Sequence, residues 1–170
     1  SSEANGASIL LISAADLQAG TYPEGIASGF STFAKSIDFK ADVGQSLVLP
    51  LANGSTAVII GTGKGDISTM DARRIGGCIG DTLRKKGLSE ASLSLQMLAT
   101  LSQRSSLTVE AIAQLLGTQI SVGNYRYDRY KSKTKSALSS LIIVGDENQS
   151  LSAAFNKGLS IADARNFARD

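Results

Sequence analysis

Thr56-Ala57-Val58-Ile59-Ile60-Gly61-Thr62-Gly63-Lys64-Gly65-Asp66 decides how this chain is built. Thr56 to Ile60 is a short aliphatic, β-branched run of the kind that forms a buried strand, and the glycines that follow break it into a turn. The segment Thr69 to Lys86 then carries Ile75, Cys78, Ile79, Thr82 and Leu83 on one helical stripe. Ser68 and Asp71 stand in the spacing of a capping box, and Lys85-Lys86-Gly87 closes the helix with positive charge and a residue free to turn left-handed. Gly76, Gly77 and Gly80 inside the helix cost about 1 kcal/mol each relative to alanine, which predicts a close approach to the sheet. A strand, a glycine turn and an amphipathic helix in this order read as half of a crossover unit.

Working outward, strand-like runs recur at Ser8 to Ile12, Ser46 to Leu51, Ser92 to Gln96 and Leu138 to Val144. Asn53-Gly54 between the second run and Thr56 is a hairpin signal and predicts one antiparallel pair. Ser28 to Ile37 reads as a short helix, and Thr108 caps a run with Val109, Ile112, Ala113, Leu116 and Ile120 on one stripe. A last helix is expected from about Ser150, with Leu151, Phe155, Leu159 and Ala162 inward. Alternation of strands with helices predicts an α/β fold whose mixed, largely parallel sheet is covered on both faces. No repeat and no linker-like tract divides residues 1–170, so one domain is expected.

Composition narrows the chemistry. The chain has 170 residues, 42% of them hydrophobic, and 17 basic against 15 acidic residues give a formal charge of +2. That balance does not by itself call for a polyanionic partner. Histidine is absent, which excludes Ser-His and Cys-His nucleophile pairs and imidazole zinc sites. The single cysteine, Cys78, has no intramolecular partner, and Ser1-Ser2-Glu3 opens no signal-like segment, so cytoplasm is expected. The longest aliphatic runs, Ile9 to Ile12 and Leu141 to Val144, fall far short of the roughly 20 residues that span a bilayer, and no membrane partner is expected.

Three stretches invite a sharper reading. Gly61 to Asp66 stands where backbone amides can cradle a phosphate. It departs from the Walker pattern, because Gly65 follows Lys64, and from the dinucleotide pattern, because Asp66 stands where a third glycine belongs. A tight turn is the plainer reading. Tyr125 to Lys135 interleaves three tyrosines with Arg126, Arg129, Lys131, Lys133 and Lys135, a mixture that stacks bases and meets phosphates but equally packs at domain boundaries. Asp146-Glu147 reads as a solvated turn, and Cys78, on an apolar stripe, as a buried thiol.

Gly123-Asn124-Tyr125-Arg126-Tyr127-Asp128-Arg129-Tyr130-Lys131-Ser132 resembles a signature of the leucyl (cytosol) aminopeptidase family, in its N-terminal, non-catalytic domain. Thr56 to Asp66, Met70 to Gly87 with Arg73, Arg74, Gly76 and Gly77, and Ala162 to Asp170 follow in the family's order, so the similarity spans about Ile9 to Asp170. The resemblance implies a three-layer α/β/α, macro-domain-like fold. It also implies a parent enzyme that releases N-terminal amino acids from peptides with two divalent ions, zinc, manganese or magnesium, in a catalytic domain beyond Asp170. The family's Asn-Thr-Asp-Ala-Glu-Gly-Arg-Leu motif does not occur here, and Lys64 does not match its ligand lysine. No catalytic, cofactor-binding or metal-binding residue is therefore assigned to this chain. Its expected partners are its own catalytic domain and the other subunits of a homohexamer, with peptide substrate meeting only the catalytic domain. Two alternatives stay open: a macro-like binder of ADP-ribose or another nucleotide through Gly61 to Gly65, and a DNA-binding module. Structural packing of the tyrosine run is weighed above nucleic-acid binding.

Overall fold

Side chains alternate in and out along the central strands, and each face of the sheet collects its own core. The computed structural model describes residues 6–22, 26–51, 54–124, 140–144 and 153–158. Among the described residues five strands, β1 (Ala7–Ile12), β2 (Ser46–Pro50), β3 (Thr56–Gly61), β4 (Glu90–Ser94) and β5 (Ser140–Val144), form one sheet in the order β2-β3-β1-β4-β5. β2 and β3 are antiparallel and every other pairing is parallel, as the hairpin signal and the crossover pattern predict. Ile9 of β1 and Val58 and Ile60 of β3 face one core, while Leu10, Ile12, Ala57 and Ile59 face the other. Helices cover both sides, giving three layers.

The first face is filled by α3 (Thr69–Lys85), α4 (Leu95–Gln103), α5 (Val109–Asn124) and a helical segment over 153–158. Ile75, Ile79 and Leu83 of α3 and Ile112, Leu116 and Ile120 of α5 are buried there together with Phe155. The second face is filled by α2 (Phe30–Ser36), through Phe30 and Ala34, and by Phe39 and Ala41. Tyr22 and Phe39 meet the Phe30 ring edge-on, with centroids 5.3 and 6.3 Å away.

Several boundaries differ from the sequence expectation. β4 runs from Glu90 to Ser94 and not to Gln96, because Leu95 already opens α4, whose Leu98 and Leu101 are buried. Nothing local announces that helix, since Ser94 makes no side-chain cap bond. α1 (Ala14–Ala19) is also additional, although Ser13 and Asp16 form a full capping box and Gly20 closes it left-handed. The capping box at Ser68 and Asp71 and the left-handed Gly87 stand as predicted. Of the expected terminal helix, residues 153–158 are described.

The glycines of α3 serve a different contact from the one the sequence suggested. Gly76 and Gly80 face α5 and not the sheet. A methyl on Gly76 would press on Gln119 Cβ at 2.8 Å, and one on Gly80 would run into the Ile120 carbonyl and the Asn124 amide. Gly123 of α5 returns the contact against the Gly77 carbonyl and the Asp81 amide. Gly77 itself has open space in front of it. Backbone therefore meets backbone across α3 and α5, and Asn124 Nδ2 donates to the Gly80 carbonyl at 3.2 Å to close the seam. Gly117 and Gly158 repeat the device where 153–158 crosses α5, and Thr118 Oγ1 lies 3.1 Å from the Gly158 carbonyl.

This geometry predicts opposite signs for neighbouring glycines. Gly80→Ala should destabilise the domain by about 2 kcal/mol, overpacking outweighing better helix propensity. Gly77→Ala, with nothing in its way, should stabilise by up to about 1 kcal/mol. Urea midpoints that move the same way in both variants would refute the seam.

Candidate functional site

The β1–β4 ladder pairs Ala7 with Ala91, Ser8 with Ser92 and Ile9 with Leu93, and then ends. Beyond it β1 continues along β3 alone to Ile12. The Leu11 N–H has no strand partner left on that side and donates to Met97 Sδ of α4 at 3.4 Å. A cleft of about 1060 Å³ opens at this divergence, over the carboxyl ends of β1, β3 and β4. Its lining is more apolar than polar. Leu10, Ala14, Met97 and Leu101 contribute the apolar part, and Tyr22, Lys64 and Arg104 are among the polar groups at its walls. The Tyr22 hydroxyl is buried and has no hydrogen-bond partner among the described residues.

One wall is the glycine turn. Gly61 donates to the Gln45 carbonyl at 2.9 Å, Thr62 to the Ile12 carbonyl at 2.9 Å and Gly63 to the Ala41 carbonyl at 2.8 Å. Gly63 and Gly65 adopt φ of 77° and 68°, and a side chain at Gly61 would collide with the Ala41–Asp42 peptide. The amides that a phosphate would need at Thr62 and Gly63 are thus already bonded, and the carbonyls point elsewhere. They point at Arg104. Its Nε donates to the Gly65 carbonyl at 3.0 Å, Nη2 to the Gly65 and Gly63 carbonyls at 2.8 and 3.2 Å, and Nη1 to Thr62 Oγ1 at 2.8 Å. The Ile67 N–H returns a bond to the Arg104 carbonyl at 2.6 Å. This is a cation-clamped turn, which is the plainer of the two readings of the sequence.

Arg104 was not a candidate on sequence grounds. It lies in a serine-rich stretch 39 residues from Gly65, and no local spacing marks it. Among the described residues no carboxylate forms an ion pair with it or with Lys64. Asp16, also at the cleft, is engaged at the α1 N-terminus, where Oδ2 accepts from Ser13 Oγ at 2.7 Å.

The remaining sequence candidates fall elsewhere. Tyr125 to Lys135 and Asp146-Glu147 lie outside the described residues. Cys78 is half-buried and its thiol donates to the Gly44 carbonyl at 3.4 Å. Burial pushes that thiol up, the nearby Asp81 charge adds to the effect, and a raised thiol is a poor nucleophile. Asp81 is held below the usual carboxylate range by Lys85 at 2.7 Å and by Arg84. This pair contributes above the unfolded carboxylate range and fades as pH falls through the folded value. Exposed as it is, it is worth at most about 0.5 kcal/mol. Among the described residues no group of three or more His, Cys, Asp or Glu could hold a metal ion, and no described helix is long and apolar enough to cross a membrane.

Residues 12–134 match the sequence profile of the cytosol aminopeptidase family, N-terminal domain. No curated protein sequence matches the chain. Among solved structures, the bottromycin maturation enzyme BotP superposes with a TM-score of 0.68 at 21% identity, covering 96% of this chain and 32% of that one. The same enzyme in complex with Mn gives 0.67 at 23% identity, over 98% of this chain and 31% of that one. A mutant tomato leucine aminopeptidase gives 0.67 at 14% identity, over 94% and 33%. The chain spans about a third of the length of each of these structures.

The clamp generates its own prediction. Arg104→Met should lower unfolding stability by about 2 kcal/mol, the order of a charge-assisted hydrogen-bond set lost from a partly buried site. Arg104→Lys should not restore it, since an ammonium cannot span several carbonyls with a planar fork. Equal stability of the lysine variant and the native chain, read from denaturant melts, would contradict this.

Proposed function

The chain belongs to the cytosol aminopeptidase family through its N-terminal domain, and on that footing we propose that it is the accessory lobe of a two-metal leucyl aminopeptidase. The observation that carries the reading is the family match across residues 12–134. The likeness to structures about three times its length supports placing the chemistry on another part of such a protein. The parent would release N-terminal amino acids from peptides in the cytoplasm. Zinc, manganese or magnesium in its catalytic domain would activate water and polarise the scissile carbonyl.

The described residues of this chain offer no ligand set that fits such ions, so no step of that chemistry is assigned to them. What this lobe contributes in the proposal is packing against the catalytic domain and contacts between subunits of a homohexamer.

Purified on its own, the 170-residue chain is expected to release no chromophore from leucine p-nitroanilide, with or without added manganese or zinc. Metal-dependent release above the uncatalysed rate would sink the assignment.

A further inference from the structure

The cleft beside β1 and β4 is the feature that an accessory, packing role leaves unexplained. With the antiparallel β2 set aside, the parallel strands run β3-β1-β4-β5. The chain leaves β1 toward the β3 side and leaves β4 toward β5, so the connections diverge from the carboxyl ends of β1 and β4. In open α/β sheets that divergence is where a crevice forms and where ligands sit.

Size and chemistry narrow the occupant. About 1060 Å³ is far more than an inorganic ion needs and matches an organic molecule of nucleotide size. Leu10, Ala14, Met97 and Leu101 offer an apolar bed. Opposite it, Arg104 is half-buried, and among the described residues its hydrogen-bond partners are neutral oxygens; Nη1 bonds there to Thr62 Oγ1 alone, leaving its second N–H for another acceptor. Lys64 stands exposed on the same wall. Carbonyl dipoles solvate a guanidinium without cancelling its charge, so a partly desolvated cation facing a cavity favours an anion there.

We propose that this cleft binds an organic anion of nucleotide size, its ring resting on the Leu10 and Met97 side and its charge meeting Arg104 Nη1 and Lys64. The glycine turn forms one wall of this site, but the anion would meet side chains and not the amides of Thr62 and Gly63, which are occupied. It does not depend on the aminopeptidase reading and can fail or stand separately.

The chain has two methionines, Met97 in the cleft and Met70 at the exposed start of α3, so methyl-labelled methionine gives a probe and its internal control. Adenosine monophosphate titrated into the 170-residue chain should shift the Met97 methyl resonance and leave Met70 in place. Adenosine alone and inorganic phosphate alone should each bind about tenfold more weakly or worse, since each lacks half of the contact set. Lys64→Glu should weaken binding about tenfold. Thr100→Trp, an exposed cleft position on α4, should block the Met97 shift while both variants melt like the native chain. The proposal is overturned by an unmoved Met97 signal, by inorganic phosphate binding as tightly as the nucleotide, or by an affinity indifferent to both substitutions.

Discussion

The Arg104 guanidinium ties the end of α4 to the turn after β3, which is itself bonded to the end of β1. It carries the carbonyls of Gly63 and Gly65 and the Thr62 hydroxyl, and Thr62 in turn reaches the Ile12 carbonyl at the end of β1. A turn with glycines at 61, 63 and 65 has much conformational freedom to lose on folding, so an external tie matters more here than in a stiffer sequence. The same knot accommodates Ala41, buried with φ of 59°, a backbone state that costs a non-glycine residue about 1–2 kcal/mol. Its carbonyl receives the Gly63 N–H, and the bare Cα of Gly61 leaves space for its peptide. Strain in one loop is thus held by hydrogen bonds supplied from another.

The clamp also fixes the electrostatic character of the sheet's carboxyl edge. Neutral acceptors solvate the cation without neutralising it, and Asp16, an acid lining the same cleft, is committed to capping α1. The apolar floor and the cationic wall come from elements far apart in sequence, β1, the turn after β3 and the end of α4. The likeness to structures of similar shape at low identity shows that the layered fold is shared.

Much of the architecture was legible because it follows local rules. The Ser68–Asp71 capping box, the apolar stripe of α3, the left-handed Gly87 and the Asn53-Gly54 turn act over a few residues, and each appears where the pattern puts it or, for the turn, produces the antiparallel pair it implies. α4 was hidden because β4 passes into it without a breaker or a side-chain cap. The glycine partners were misassigned for a related reason. Composition shows that a backbone must come close to something, but only the crossing of α3 with α5 decides what. Arg104 was invisible, since its meaning lies in carbonyls and a hydroxyl 39 to 42 residues away.

The glycine seam has a mechanical consequence. Helices cushioned by flexible side chains can slide or roll by small repacking steps, whereas α3 and α5 touch main chain to main chain and lack that slack. A displacement imposed at Asn124, where α5 ends, would therefore travel as a lever stroke through α3 to Ser68 and the turn beside the cleft, with little damping on the way.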